Sequence, residues 1–248
     1  MNKSKKKFSN EEWGNRVNLA ASYHLADHFG FSDIIWNHIT ARTEENKETF
    51  LINPFGLRYD EVTASNLIEI NLEGKIINGE YPINDTGYII HSAIHKSRED
   101  IKCVMHTHSR SGLAISCLNE GLKPMIQDAA IFYNRISYHP WEGMSTETDE
   151  CERLAKNLGK NKSMILKNHG LLTCGETIAE AFMLMYYLDK ACKNQIDVMS
   201  MNMKIDIPNN NIMEYAAGQY DDDRFKLGIH EWPSLLRLLD KKGSQYKI

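Results

Sequence analysis

Val104-Met105-His106-Thr107-His108-Ser109 is a short apolar run closing on two histidines one residue apart. Successive side chains on a β-strand point to opposite faces, so His106 and His108 share a face and can reach one ion, which His106 and Thr107 cannot. A second apolar run, Ser163-Met164-Ile165-Leu166-Lys167, predicts another strand, with Asn168-His169-Gly170 at its end or in the turn that Gly170 opens. His106, His108 and His169 are therefore the candidate ligands of one metal. Three neutral imidazoles bind a divalent transition ion and leave positions open for water or substrate, as catalytic rather than closed structural sites do. Such a site polarises a carbonyl or acidifies water. The ligand set does not fix the metal: zinc, iron, manganese and cobalt are all compatible, and an Fe(II) site would open oxygenase chemistry instead.

Composition narrows the class of protein. A chain of 248 residues fits one domain with a large core, expected over 1–248, with residues 1–10 a frayed basic arm and 208–248 a polar tail ending in a helix. A hydrophobic fraction of 42% and a charged fraction of 25% are those of an ordinary soluble protein. The net charge of −4 supplies no basic field for gripping nucleic acid. No stretch approaches the roughly 20 apolar residues that cross a bilayer, and the basic N-terminus lacks a signal-peptide core. Cys103, Cys117, Cys151, Cys174 and Cys192 are scattered and odd in number, which argues for a reducing, cytoplasmic setting over a disulfide framework. Cys103 and Cys174 read as small buried residues, Cys174 as a structural thiol rather than a fourth ligand.

Around the two histidine strands the pattern predicts an outer-layer amphipathic helix over 11–29, ended by Gly30. Strands follow over 35–42, 49–53 and 67–71. A helix over 89–97 carries His91 and His95 four residues apart and feeds a strand over 101–106. Helices are expected over 112–118, 147–158, 177–199 and 232–239, that at 147–158 capped by Ser145 and Thr146, with strand-like runs across 123–138. His24 and His28 read as exposed or locally bonded, and His95 as a surface residue.

Six ordered blocks then carry a resemblance: Trp36-Asn37-His38-Ile39-Thr40-Ala41-Arg42, Ile52-Asn53-Pro54-Phe55-Gly56, Leu67-Ile68-Glu69-Ile70-Asn71-Leu72-Glu73-Gly74, His91-Ser92-Ala93-Ile94-His95, the strand ending in His106-Thr107-His108-Ser109, and Leu166-Lys167-Asn168-His169-Gly170-Leu171-Leu172. Together they resemble the class II aldolase and adducin head-domain family over about 35–194, and most closely its bacterial adducin-like branch. The resemblance implies a three-layer α/β/α fold on a central, mainly antiparallel sheet. It also implies zinc on His106, His108 and His169, and substrate contacts from Asn37, Asn53 and Gly56. The aldolases carry a catalytic glutamate four residues before the histidine matching His91; that position here is Gly87, with Asp85 two residues upstream. Asp85-Thr86 and the Asn53-Pro54-Phe55-Gly56 turn replace hydroxyl-bearing phosphate loops, which disfavours a phosphorylated substrate. The aldolase tyrosine beyond the metal strand falls near Gln127, leaving Tyr133, Tyr138 and His139 as proton carriers or as packing residues, with Tyr138 and His139 the catalytic candidates.

The implied activity is a metal-dependent lyase acting on a small carbonyl or carboxylate compound, by carbon–carbon cleavage, decarboxylation or related proton transfer. The implied assembly is a homotetramer in which residues near Tyr138–Glu142 complete a neighbour's site. The alternative class is a non-catalytic adducin-like binding or scaffold module.

Overall fold

A computed structural model describes residues 8–43, 48–143 and 148–248. Its strands are β1 (His38–Arg42), β2 (Thr49–Ile52), β3 (Ile68–Asn71), β4 (Ile76–Asn78), β5 (Cys103–Thr107), β6 (Ile136–His139), β7 (Ser163–Leu166) and β8 (Gly170–Gly175). They form one eight-stranded sheet in the order β4-β3-β2-β1-β5-β8-β7-β6. Among these strands only β6 and β7 run parallel, so the sheet is mainly antiparallel, as expected.

Side-chain alternation divides the sheet between two cores. On β5, Cys103 and Met105 enter the cluster built with helices α1 (Asn10–His28), α6 (Ile178–Ser200) and α8 (Glu231–Lys241). Val104 points the other way, packing with Ile90 and Ile94 of α2 (Asp85–Ser97) and Leu154 and Leu158 of α5 (Thr148–Leu158). His106 has the parity of Val104 and emerges on the α2 side. In register, His38 pairs with His106 and Thr40 with Val104, which brings two more polar side chains of β1 to that face.

Several expectations need correction. Helix α1 is more than an outer-layer element: Leu19, Ala20, Tyr23, Leu25 and Ala26 are all fully buried, because α8 and the C-terminal segment cover the side away from the sheet. His24 is accordingly buried, held by the Val62 carbonyl at 2.7 Å and Ser244 Oγ at 2.6 Å. Only the end of the stretch 123–138 is strand; α4 (Gln127–Ala130) interrupts it after α3 (Arg110–Ser116). Strand β4 and helix α7 (Asn210–Tyr220) were not anticipated. The basic arm up to residue 7 and the caps Ser145 and Thr146 lie outside the described residues; α1 itself opens on Ser9, whose hydroxyl accepts the Glu12 N–H.

Candidate metal centre

Strand β5 delivers His106 from its buried end and His108 just beyond it, while the turn between β7 and β8 delivers His169. That turn is shaped by Asn168 at φ 55° and Gly170 at φ 152°, backbone conformations that favour Asn and Gly. The pairing of Leu171 with Thr107 and of Leu172 with His106 then brings the turn over the end of β5. The three rings stand 4.8 to 5.1 Å apart by centroid, and one ligand nitrogen from each lies within 4.8 Å of the others.

The hydrogen bonds around these rings decide their tautomers. His106 Nδ1 lies 2.9 Å from the Leu171 carbonyl, which can only accept, so it carries the proton and leaves Nε2 bare. His108 Nδ1 lies 3.0 Å from Asp33 Oδ2, with the same result. The two bare Nε2 atoms face each other across 3.0 Å. Nitrogens each ~2.0–2.1 Å from a shared ion stand ~2.9–3.4 Å apart for angles between right and tetrahedral. Burial, with neighbouring imidazoles, holds His106 well below its usual pKa and His169 down to about 4, which favours the neutral, ligating form of these two rings. The donor set therefore fits a divalent cation, and a carboxylate behind one ligating histidine is the usual support for one.

The histidines line a cavity of about 330 Å³ with Asp33, Trp36, His38, Asn84, Ile90, Trp141 and Gly143. None of Asn37, Asn53, Gly56, Tyr138 or His139 lines it. Asn53 is turned into the core, its Oδ1 2.9 Å from the Tyr23 hydroxyl and its N–H donating to that oxygen at 3.2 Å. Asn37 is buried with its amide donating to the Phe31 carbonyl at 2.8 Å. Gly56 sits in an open turn at φ 98°. Tyr138 and His139 alternate across β6: the Tyr138 hydroxyl accepts the Leu122 N–H at 3.1 Å on the far side. His139 is buried behind His169, with Asn157 donating to its Nδ1 at 2.8 Å and Glu150 Oε1 3.7 Å from its Nε2. Because β6 pairs in parallel with β7, His139 opposite Leu166, residues 139–141 lie against the site of their own chain. The side chains of Asp85 and Thr86 lie outside what the structure describes.

Two site residues escaped sequence reading. Asp33 precedes β1 in an irregular segment that carries no period. His38 stood in a quoted block, but only its register with His106 reveals that it belongs to the cavity. His91 and His95, both buried, extend inward from it, which corrects the reading of His95 as a surface residue.

Comparison with known proteins identifies the family. A Pseudomonas aeruginosa protein, provisionally named as a class 2 aldolase, is 41% identical over 95% of this chain and 93% of its own. Rat alpha-adducin is 38% identical over 92% of this chain, which spans 33% of that protein. The crystal structure of an aldolase II superfamily protein from Pseudomonas syringae superposes with a TM-score of 0.93 at 38% identity, covering 98% of this chain and 99% of that one. L-fuculose 1-phosphate aldolase from Glaciozyma antarctica PI12 gives 0.84 at 30% identity, covering 95% and 92%. The family description "Class II Aldolase and Adducin N-terminal domain" matches residues 17–196, and the chain belongs to that family.

Proposed function

We propose that the chain is a metal-dependent enzyme of lyase type, with His106, His108 and His169 as ligands of one divalent ion, zinc first. Its substrate is a small carbonyl or carboxylate compound without phosphate, transformed by carbon–carbon cleavage, decarboxylation or related proton transfer. The observation that carries the reading is the pair of Nε2 atoms on His106 and His108 that face each other across 3.0 Å, each ring having its Nδ1 turned to an acceptor. When bound, the ion supplies Lewis-acid polarisation of a substrate oxygen. The chain's own residues do the rest. Asp33 and the Leu171 carbonyl hold two imidazoles in the ligating tautomer. Trp36, Ile90 and Trp141 give the cavity apolar walls that limit water.

No lysine or arginine lines the cavity among the described residues, which disfavours a phosphate dianion. The Glaciozyma antarctica relative is named for a phosphorylated sugar, so that substrate is the direct control. Metal-loaded protein is expected to leave L-fuculose 1-phosphate intact while turning over a 2-keto or hydroxy acid from a screening panel; rapid cleavage of the phosphate ester substrate would refute the substrate class.

The 38% identity to alpha-adducin favours a second reading, a binding or scaffold module without catalysis. Elemental analysis after incubation with zinc, iron(II), manganese or cobalt separates the two: about one ion per chain supports the enzyme, and no uptake of any of them supports the scaffold. By the same kinship we propose a homotetramer of single-domain chains, which sedimentation at micromolar concentration tests.

A further inference from the structure

The chain's four tryptophans divide by place. Trp13 and Trp232 are buried, each 8% exposed, whereas Trp36 and Trp141 are 53% and 60% exposed and line the cavity that holds the three histidines. Large apolar groups left in water at a concave site mark contact area for a ligand. Trp36 is fixed there: its N–H donates to the Asp33 carbonyl at 2.9 Å, and its ring packs on Phe55 with centroids 5.7 Å apart. Trp141 follows Pro140 directly after β6, and Ile90 adds a third apolar surface. The polar side chains of the same wall are already engaged. Asp33 Oδ2 faces His108 Nδ1 at 3.0 Å, His38 Nδ1 faces His91 Nε2 at 2.9 Å, and the Asn84 amide is turned to the Trp36 carbonyl. Among the described residues no serine, threonine or tyrosine lines the cavity. A polyol needs a donor or acceptor for each hydroxyl that it takes out of water, and this wall supplies few.

We propose that the compound bound at this site is aromatic: a ring bearing a carboxylate or 2-oxo acid head, with the head at the three histidines and the ring against Trp36 and Trp141. A ring on an indole packs offset or edge to face and needs no hydrogen bond to be held. An alkyl tail would gain burial alone, whereas a ring gains quadrupole attraction as well, so two indoles favour the ring. The cavity of about 330 Å³ stands at the small end of the range of roughly 300–1,000 Å³ for small-molecule sites, which suits one ring with its head.

The substrate class rests on the metal reading above, and its test keeps the two apart. Acetohydroxamate, benzohydroxamate and 2,3-dihydroxypropanohydroxamate offer zinc the same chelating head and differ in carrying a methyl group, a ring or a polyol tail. Calorimetric titration of zinc-loaded protein is expected to show benzohydroxamate binding about tenfold tighter than acetohydroxamate, and the dihydroxy compound no tighter than acetohydroxamate. Trp36→Ala and Trp141→Ala should each cut the preference for the ring severalfold with zinc content unchanged, and the Phe variants, which keep a ring, should cut it less. Equal affinity for all three probes, a preference for the dihydroxy compound, or a ring preference that survives both Ala variants would overturn the proposal. Failure of the parent protein to hold zinc would strike the metal reading instead. Saturation-transfer NMR on metal-free protein then decides the substrate class: transfer to the ring protons of phenylglyoxylate that is lost in Trp36→Ala supports it, and absence of transfer in the parent overturns it.

Discussion

The imidazole of His38 occupies the space beside Gly87: a Cβ at position 87 would stand 2.6 Å from His38 Nε2. One residue has a side chain in that corner of the cavity because the other has none. A carboxylate cannot be restored at 87 without displacing the ring.

Gly87→Glu is therefore expected to destabilise the protein by about 1–3 kcal/mol through overpacking, and to lower rather than raise any lyase activity. Thermal unfolding of the single variant and of Gly87→Glu combined with His38→Ala checks this. The double variant should recover part of the lost melting temperature; an unaltered melting temperature in the single variant would show that the ring yields freely.

On the proposed metal reading, Asp33 supports the ion through His108. Asp33→Asn should weaken ion binding roughly 10–100-fold by releasing the His108 tautomer, while His108→Ala should abolish stoichiometric binding. Chelator competition measures both. Full occupancy in His108→Ala would dismiss the ligand assignment.

His95 gives the fold an acid sensitivity with a defined sign. Its folded pKa is depressed to about 3 by burial, against an ordinary value of 6.5, so below 6.5 the unfolded chain takes up a proton that the folded chain refuses. The stability it contributes is present above pH 6.5 and declines as pH falls from there toward about 3. Denaturant titrations of the parent and of His95→Phe, which can pack on Phe50 as His95 does, should show a stability difference that shrinks between pH 7 and pH 4. A difference independent of pH would mean that His95 is not the group refusing the proton.

Gly170 approaches the Thr107 carbonyl so closely that a Cβ there would overlap it, and the same Cβ would fall 3.3 and 3.4 Å from the rings of His108 and His106. Gly170→Ala should cost stability and metal affinity together, since both depend on the spacing of β5 and β8. Retention of either at the parental level would separate the turn from the site.

Much of this was legible in the residues. Alternation along 104–108 placed His106 and His108 on one face, and the Asn168-His169-Gly170 turn brought the third imidazole within reach, because both signals are local and backbone geometry is nearly invariant. The support for these rings was not legible. Asp33, 75 residues from His108, meets it only through tertiary packing, and His38 needs the β1–β5 register to be seen. His95 was misread because one polar residue on a helix gives no sign that a second polar chain waits behind the strand it faces. Asn53 was assigned to substrate by its turn, yet the Tyr23 hydroxyl, 30 residues away, claims it for the core.

Strand β5 lies between β1 and β8 near the middle of the sheet, and Cys103 to Thr107 are buried throughout. Amides in such a position exchange with solvent on global opening rather than by fraying. An ion bound as proposed would lose its His106 ligand only on global opening. Its residence time should be set by traffic through the cavity mouth beside Trp36 and Trp141, and should stay flat as denaturant rises until the whole sheet gives way.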